Sequence, residues 1–143
     1  MAVTFTNNYK NILDSLESIL KSEFKGALPV YKGTLVPKGV NQALQLVPVG
    51  STLVEYNSTG QLREFTVQIL FIFNEANIKE RALDYVMRYV ARIHKLIENN
   101  MSMTLSDNSS AFKCRLESDA FNADDDSGLY VVDFEYKCMH LEI

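Results

Sequence analysis

The sequence predicts a single domain, residues 1–143, of the α+β class: an antiparallel or mixed sheet with two main helices packed on one face. Two segments have apolar residues at the three–four spacing of amphipathic helices, and most of the remainder alternates between apolar and polar residues as half-buried strands do. With 47% of its 143 residues hydrophobic, the chain can bury one sizeable core. The predicted order is helix, short strands, long strand, helix and terminal hairpin.

The first helix is predicted over residues 9–24. Its apolar residues share one side, Thr6 or Asn7 can cap its start, and Gly26 can end it. Residues 28–49 are interrupted by prolines and glycines, so the sequence predicts short strands joined by irregular loops there.

A hairpin and a long strand follow. The sequence NSTG at 57–60 separates two runs rich in β-branched and aromatic residues, which is typical of a hairpin turn. In the second run Phe65, Phe71 and the alternate residues between them share one face. The opposite face begins polar and becomes apolar at Leu70 and Ile72, which predicts a strand whose end is buried on both faces.

The second helix is the most regular element, and one continuous apolar stripe predicts it over residues 77–98. Residues 101–105 alternate between apolar and polar side chains, which leaves an edge strand and an ordered loop open as alternatives. Residues 111–121 and 129–141 are predicted as two strands that form the terminal hairpin. In the second of these, alternate residues from Tyr130 to Cys138 are predicted to face the core.

Three consecutive aspartates, Asp124, Asp125 and Asp126, lie between these two strands. A helix–loop–helix calcium site needs alternating oxygen ligands followed by a glycine and a glutamate at fixed positions. Here Ser127 and Asp133 occupy those two positions, and strands flank the segment. The aspartates are therefore interpreted as a soluble turn with no metal site, and as a candidate contact for a neighbouring subunit.

No catalytic set is predicted, and the chain is expected to be non-enzymatic. Cys138 and His140 lie two residues apart on one strand face, but no orienting third group accompanies them, so packing in the sheet is the favoured interpretation. Cys114 and Cys138 are interpreted as reduced thiols, at least one of them packed in a sheet. Because no glycine-rich phosphate-binding sequence occurs, no cofactor is expected.

Composition and charge narrow the classes of partner. The formal net charge of −4 disfavours nucleic-acid binding as the main function. No apolar run approaches the length of a membrane span, and the opening MAVTFTNNYK lacks the basic and apolar parts of a signal peptide. A protein made and kept in the cytoplasm, without a membrane partner, is expected.

Basic residues recur along one side of the second helix, at Arg81, Arg88, Arg92 and Lys95. One interpretation is an ordinary solvated side with partial internal pairing. The other is docking against an acidic surface, such as the Asp124 to Asp126 turn of another copy, in a head-to-tail ring. Together these basic and acidic residues form the candidate subunit interface.

Three stretches carry a family resemblance: LQLVPVGSTLVEYNSTGQLREFTVQILFIF, then NIKERALDYVMRYVARIHKLIEN, and finally GLYVVDFEYKCMHLEI. In this order, and at this chain length, they resemble the tail terminator (tail completion) proteins of tailed bacteriophages. The resemblance spans residues 9–143 and rests on the arrangement of the elements, with no diagnostic motif. It implies a structural virion protein of the tail or neck that forms a homo-oligomeric, commonly hexameric ring.

Such a ring caps the last ring of tail-tube protein, stops its polymerisation and presents its other side to a neck or connector protein. The resemblance further implies that DNA passes through the lumen without specific binding and that the protein is made in the host cytoplasm. Residues 36–42 and 106–110 become candidates for contacts with tube or neck.

Two other functions stay open at this point. A head–tail adaptor or minor capsid protein can have a similar small fold, and binding to portal or head protein in place of tube protein would identify it. More distant is a cytoplasmic domain that binds a small ligand or a metal, which requires a pocket with convergent polar groups.

Overall fold

The structure is a computed structural model that describes residues 2–33, 42–74, 80–124 and 129–142. Within these ranges it contains two helices and six strands, in chain order: α1 (Asn8–Glu23), β1 (Val30–Lys32), β2 (Gln42–Asn57), β3 (Gly60–Asn74), α2 (Glu80–Glu98), β4 (Met103–Thr104), β5 (Ser110–Asp124) and β6 (Leu129–Glu142). Neither helix has the length and apolar composition needed to span a membrane, as far as the described residues extend.

All six strands belong to one sheet with the order β1-β2-β3-β6-β5-β4. Strand β1 pairs with β2 in parallel, and every other neighbouring pair is antiparallel. The two central strands, β3 and β6, are paired over their whole length, from Gln61 opposite Glu142 to Asn74 opposite Leu129. These two strands form the centre of the sheet, and the flanking strands extend it on both sides.

The predicted fold class is wrong in its proportion of helix to strand and in the way the helices and the sheet are arranged. Most of the chain is strand, the sheet curls into a half-barrel, and the arrangement is not an α+β layer of two helices packed on one sheet face. The physical reason is the length of β2, β3, β5 and β6. Long strands accumulate the right-handed twist, and the register shifts in β2 and β5 increase it further, so the sheet curves strongly.

One hydrophobic core joins the helices to the sheet. The helical members are spaced three or four residues apart: Ile12, Leu16, Leu20 and Phe24 from α1 and its end, and Val86, Val90, Ile93 and Ile97 from α2. The strands contribute alternate residues of one face, among them Phe71 and Phe134, which are fully buried. Burial of these large side chains provides the main stabilisation of the fold.

The sequence prediction of α1 is confirmed. The Asn7 side chain accepts a hydrogen bond from the Lys10 N–H at 3.1 Å, which caps the first turn. The helix ends at Glu23, and Gly26 then adopts a φ of +80°, a left-handed conformation that glycine takes without strain. Helix α2 is also confirmed from Glu80 onward; its predicted first residues, 77–79, lie outside the described residues.

The prediction of short strands before the hairpin needs correction at β2. This strand continues through Pro48 to the turn, because the register shifts next to Pro48 and a proline at a bulge interrupts no ladder hydrogen bond. The predicted turn is confirmed: Asn57 pairs with Gly60, and the Asn57 side chain accepts from the Thr59 N–H at 2.9 Å. Residues 34–41, which include most of one predicted contact loop, lie outside the described residues.

Two further details of the strands are settled. Leu70 and Ile72 on the second face of β3 are half-buried, so the predicted burial of both faces at that end is incomplete. Of the two alternatives for residues 101–105, the edge strand is present, because Met103 and Thr104 pair with Ala111 and Ser110. The two predicted strands of the terminal hairpin are confirmed as β5 and β6.

Candidate interaction surfaces

The most unusual surface is one end of the β2–β3 hairpin, which we call the distal arm: residues 49–57 of β2 and 60–64 of β3. Four of its apolar side chains are exposed: Val49 (63%), Leu53 (46%), Val54 (49%) and Tyr56 (74%). Leu53 and Tyr56 lie opposite Arg63 and Gln61, on the face of β3 that carries the core residues further along the strand. The arm therefore extends the apolar face of the sheet beyond the core.

Tyr9 marks the boundary between the core and the distal arm. Its ring contacts Phe65 edge to face, with the centroids 5.0 Å apart. Its hydroxyl accepts from the Gly50 N–H at 2.7 Å and donates to the Thr66 carbonyl, so it bridges β2 and β3 where the register shifts. Burial raises the pKa of the Tyr9 hydroxyl above its ordinary value, and the group remains a neutral donor.

The basic side of α2 is largely paired within the chain. Arg88 contacts Asp84 at 3.2 Å with both side chains exposed, and Lys95 lies 3.9 Å from Glu98. Arg92 is more firmly held: it donates to the Glu23 carboxylate at 2.8 Å and to the Glu23 backbone carbonyl at 2.9 Å. Its guanidinium also lies 4.7 Å from the centroid of the Phe24 ring.

The predicted contact between this basic side and the acidic turn stays a prediction. Asp125 and Asp126 lie outside the described residues, and so do the side chains of Arg81 and Asp124. Asp124 is the last described residue of β5, and this end of β5 lies at the end of the sheet opposite to the distal arm.

A charged cluster that the sequence reasoning missed crosses three strands on the polar face of the sheet. Glu64 of β3 accepts from Arg115 of β5 at 2.8 Å and lies 3.5 Å from Lys137 of β6. The hydrogen bond from Arg115 is the main reason that the pKa of Glu64 is lowered, and the same bond raises the pKa of Arg115. The cluster ties β3, β6 and β5 together at the base of the distal arm.

The histidines and cysteines occupy structural positions. His140 is buried, its Nε2 lies 2.9 Å from the Ser109 hydroxyl, and its ring lies against Phe65, which agrees with the sheet-packing interpretation. Cys114 and Cys138 are free and buried. The hydrogen bond from Cys138 lowers the pKa of the Cys114 thiol to about 7, and the hydrogen bond to Cys114 together with burial raises that of Cys138. Because both are buried, neither is an accessible nucleophile.

The grooves of the described part of the chain do not resemble a ligand site. A groove of about 450 Å³ lies beside the end of α1 and is lined mainly by apolar groups and backbone of residues 24–30. A smaller one of about 230 Å³ is lined by His94, Cys114, Arg115 and neighbouring residues, and His94 already contacts Asp119 at 2.6 Å. Across residues 2–33, 42–74, 80–124 and 129–142, no three potential metal ligands come together.

Sequence reasoning found the strands of the distal arm but not its exposure. A sign of an irregular strand is present in STLVEYN, where the apolar residues Leu53 and Val54 are adjacent and break the strict alternation of apolar and polar residues. An extra residue in one strand is the mark of a bulge, and the register does shift between Leu53 and Glu55. The exposure itself depends on where α1 begins relative to the sheet, which no local pattern reveals.

Comparison with known proteins shows similarity at the level of structure. No protein-family model matches the chain, and no curated protein sequence matches it. One similar solved structure is a chain of the virion of a native gene transfer agent (GTA) particle, with a TM-score of 0.65 and 9% identity over 92% of this chain and 98% of that chain. A second, which carries no functional name, has a TM-score of 0.66 and 13% identity over 96% of this chain and 98% of that chain. At these identities the likeness shows a shared fold.

Proposed function

We propose that the chain is a non-enzymatic structural protein of a phage-like virion, specifically a tail terminator. In this role copies of the chain form a ring, hexameric by the family resemblance, that ends the tail tube and joins it to a neck or connector protein. DNA passes through the lumen without specific binding. The protein is made in the host cytoplasm and resides in the virion at the junction of tail and neck.

The observation that carries the proposal is the fold likeness to a chain of the gene transfer agent virion, which covers nearly all of both chains. Fold alone does not decide function, so the surface is the second support. The described residues present exposed apolar side chains on the distal arm and no ligand-like pocket, and this combination favours a protein whose work is assembly.

The charged residues of the candidate subunit interface form a ring contact in this proposal. Arg81, Arg88, Arg92 and Lys95 would face the Asp124 to Asp126 turn of the next copy. Arg88 and Lys95 hold only exposed partners on their own helix and can exchange them at little cost, whereas Arg92 would have to give up Glu23. Contacts of this kind weaken as salt rises.

The experiment that tests the function uses the virus or prophage that encodes the chain. Deleting the gene should give particles with unjoined heads and tail tubes of uncontrolled length, and purified protein should bind the ends of tubes assembled from the tail-tube protein. Tails of normal length in the deletion would contradict the proposal. Binding to portal or head protein in place of tube ends would instead identify a head–tail adaptor or minor capsid protein.

A further inference from the structure

The outer side of β2 is an open edge along the distal arm. Strand β1 covers β2 at residues 44–46, and no described residue pairs with the outer side of residues 51–57. An open edge presents unpaired N–H and C=O groups that accept another strand, and charged side chains commonly protect it. This stretch, STLVEYN, has a single charged residue, Glu55, and its Leu53 and Tyr56 side chains are exposed on the core side of the sheet.

The shape of this edge favours a short partner. The register of β2 against β3 shifts between Leu53 and Glu55. Such a bulge bends the strand and is itself a protection against long, straight strands, which cannot follow the bend. A segment of a few residues needs only a short ladder, so the bulge does not exclude it.

The chain itself contains a segment of this kind, residues 2–6, with the sequence AVTFT. Val3 and Phe5 alternate with Thr4 and Thr6, and such alternation of β-branched and aromatic residues is typical of strands. In the structure the segment belongs to neither a helix nor a strand, and Val3 and Phe5 are exposed by 80% and 78%. The segment also carries no charged side chain. It therefore offers the backbone and the apolar face that the open edge lacks.

The segment starts at the same end of the molecule as the distal arm but does not cover the edge. Asn8, the first residue of α1, donates from its side chain to the Glu142 carboxylate at 3.0 Å. Glu142 of β6 pairs with Gln61 of the arm, and β3 and β2 lie between β6 and the open edge. Segment and edge therefore both stay exposed within one chain, and each copy has one of each to offer.

We infer that residues 2–6 of one copy pair as an added strand with residues 51–57 of β2 in a second copy, with Val3 and Phe5 packed on Leu53 and Tyr56. Side chains on the same face of neighbouring strands are close enough to pack against each other. In this mode of binding the main-chain hydrogen bonds give affinity and alternate side chains give specificity. The inference deepens the proposed function and rests on it for the ring.

The area of this contact favours a ring over an isolated dimer. Phe5 and Tyr56 each bury at most about 150–250 Å², so with the short ladder the contact buries roughly 600–900 Å² in total. A stable specific interface needs about 1,200 Å² or more. One contact is therefore weak, but a head-to-tail ring in which every copy gives one segment and accepts another adds these contacts cooperatively.

The test uses two variants on the paired face and a neighbouring control for each. Phe5→Gln has Thr4→Gln as its control, and Leu53→Gln has Thr52→Gln, because adjacent residues of a strand point to opposite faces. Glutamine leaves the charge of the chain unchanged, and unfolding midpoints in urea verify that every variant is folded. The readout is hydrogen exchange of the amides of residues 51–57 over a concentration series up to millimolar.

Strand addition predicts a specific pattern of protection. In wild type and both controls the 51–57 amides should gain protection as concentration rises, and Phe5→Gln and Leu53→Gln should each need an about tenfold or greater concentration for the same protection. In an equimolar mixture of these two variants, protection should return in the Phe5→Gln chain alone. That chain has the intact edge, and its partner has the intact segment.

The opposite results would overturn the inference. Protection in wild type that does not depend on concentration would assign the edge to the chain's own segment or to no strand at all. Controls that lose protection as the paired-face variants do would show a contact without strand alternation. A mixture without recovery would exclude exchange of the segment between copies.

Two comparisons separate this inference from the charged contact and from the proposed function. Protection through backbone pairing should persist at high salt, unlike a contact between exposed charges. If the 51–57 amides follow the expected pattern but wild type does not bind tube ends, the function fails and the inference stands. If wild type binds tube ends while these amides stay unprotected in the bound state, the inference fails and the function stands.

Discussion

The two ends of the β2–β3 hairpin both carry apolar side chains of β2 on one face of the sheet, but in opposite environments. At one end Leu44 and Leu46 lie opposite Phe71 and Ile69, and all four side chains are fully buried. At the other end the distal arm presents Leu53 and Tyr56 on the same face, yet both are exposed. The comparison teaches that alternation along a strand shows which face is apolar, whereas the position of the helices decides whether the chain itself buries that face.

The comparison predicts its largest contrast for truncation of an aromatic side chain at each end. Phe71→Ala should lower the free energy of unfolding of the monomer by about 3–5 kcal/mol, because it opens a cavity in a fully packed core. Tyr56→Ala should change it by no more than about 0.5 kcal/mol, because the side chain is already in water. Urea unfolding at a concentration below assembly measures both. Equal losses would show that the distal arm is covered within the monomer.

The boundary between the two ends should depend on the Tyr9 hydroxyl. Tyr9→Phe leaves the Gly50 N–H and the Thr66 carbonyl without their bridging partner at the register shift, and should cost about 1–2 kcal/mol. Tyr56→Phe is the control, since it removes a hydroxyl from an exposed ring. Hydrogen exchange at Gly50 should accelerate in the first variant alone. Unchanged exchange there would mean that the bulge holds its geometry without Tyr9.

Acid should loosen the base of the distal arm through Glu64. Because the pKa of Glu64 is lowered in the folded state, its stabilisation is fully present above the ordinary glutamate pKa of about 4.3 and is lost as pH falls through the lower folded value. Glu64→Gln should therefore cost about 1 kcal/mol at pH 7 and nothing once both states are protonated. Unfolding curves at pH 7 and pH 3 measure this difference.

The matched control for that experiment is Glu135→Gln, which removes a more exposed carboxylate that lies 3.4 Å from Lys137. It should show a smaller cost at pH 7 and a weaker pH dependence, because solvent screens an exposed pair. A loss at Glu64 that is the same at both pH values would assign its role to packing in place of charge.

The sequence predicted the local features of the fold but not those that depend on residues far apart in the chain. Periodicity located both helices and the core face of β6, and the turn residues NSTG located the hairpin turn at Asn57, because these features depend on local sequence. Local sequence did not predict the curl of the sheet, since curvature accumulates over long strands and bulges that pair across the chain. The Glu64–Arg115 pair was missed for the same reason: its partners are 51 positions apart.

The smallest expected effects concern the basic side of α2, where Arg88 and Arg92 differ as the two ends of the hairpin do. Arg92 donates to the Glu23 carboxylate and lies over the ring of the core residue Phe24, whereas the ion pair of Arg88 is with the exposed Asp84. Arg92→Ala should therefore cost about 0.5–1 kcal/mol of monomer stability and Arg88→Ala less than about 0.3, both measured by urea unfolding. If Arg88→Ala weakens assembly while leaving the monomer unchanged, its charge serves a neighbour. If it alters neither, the exposed end of this basic side is a solvated surface, and subunit contact must come from elsewhere on the chain.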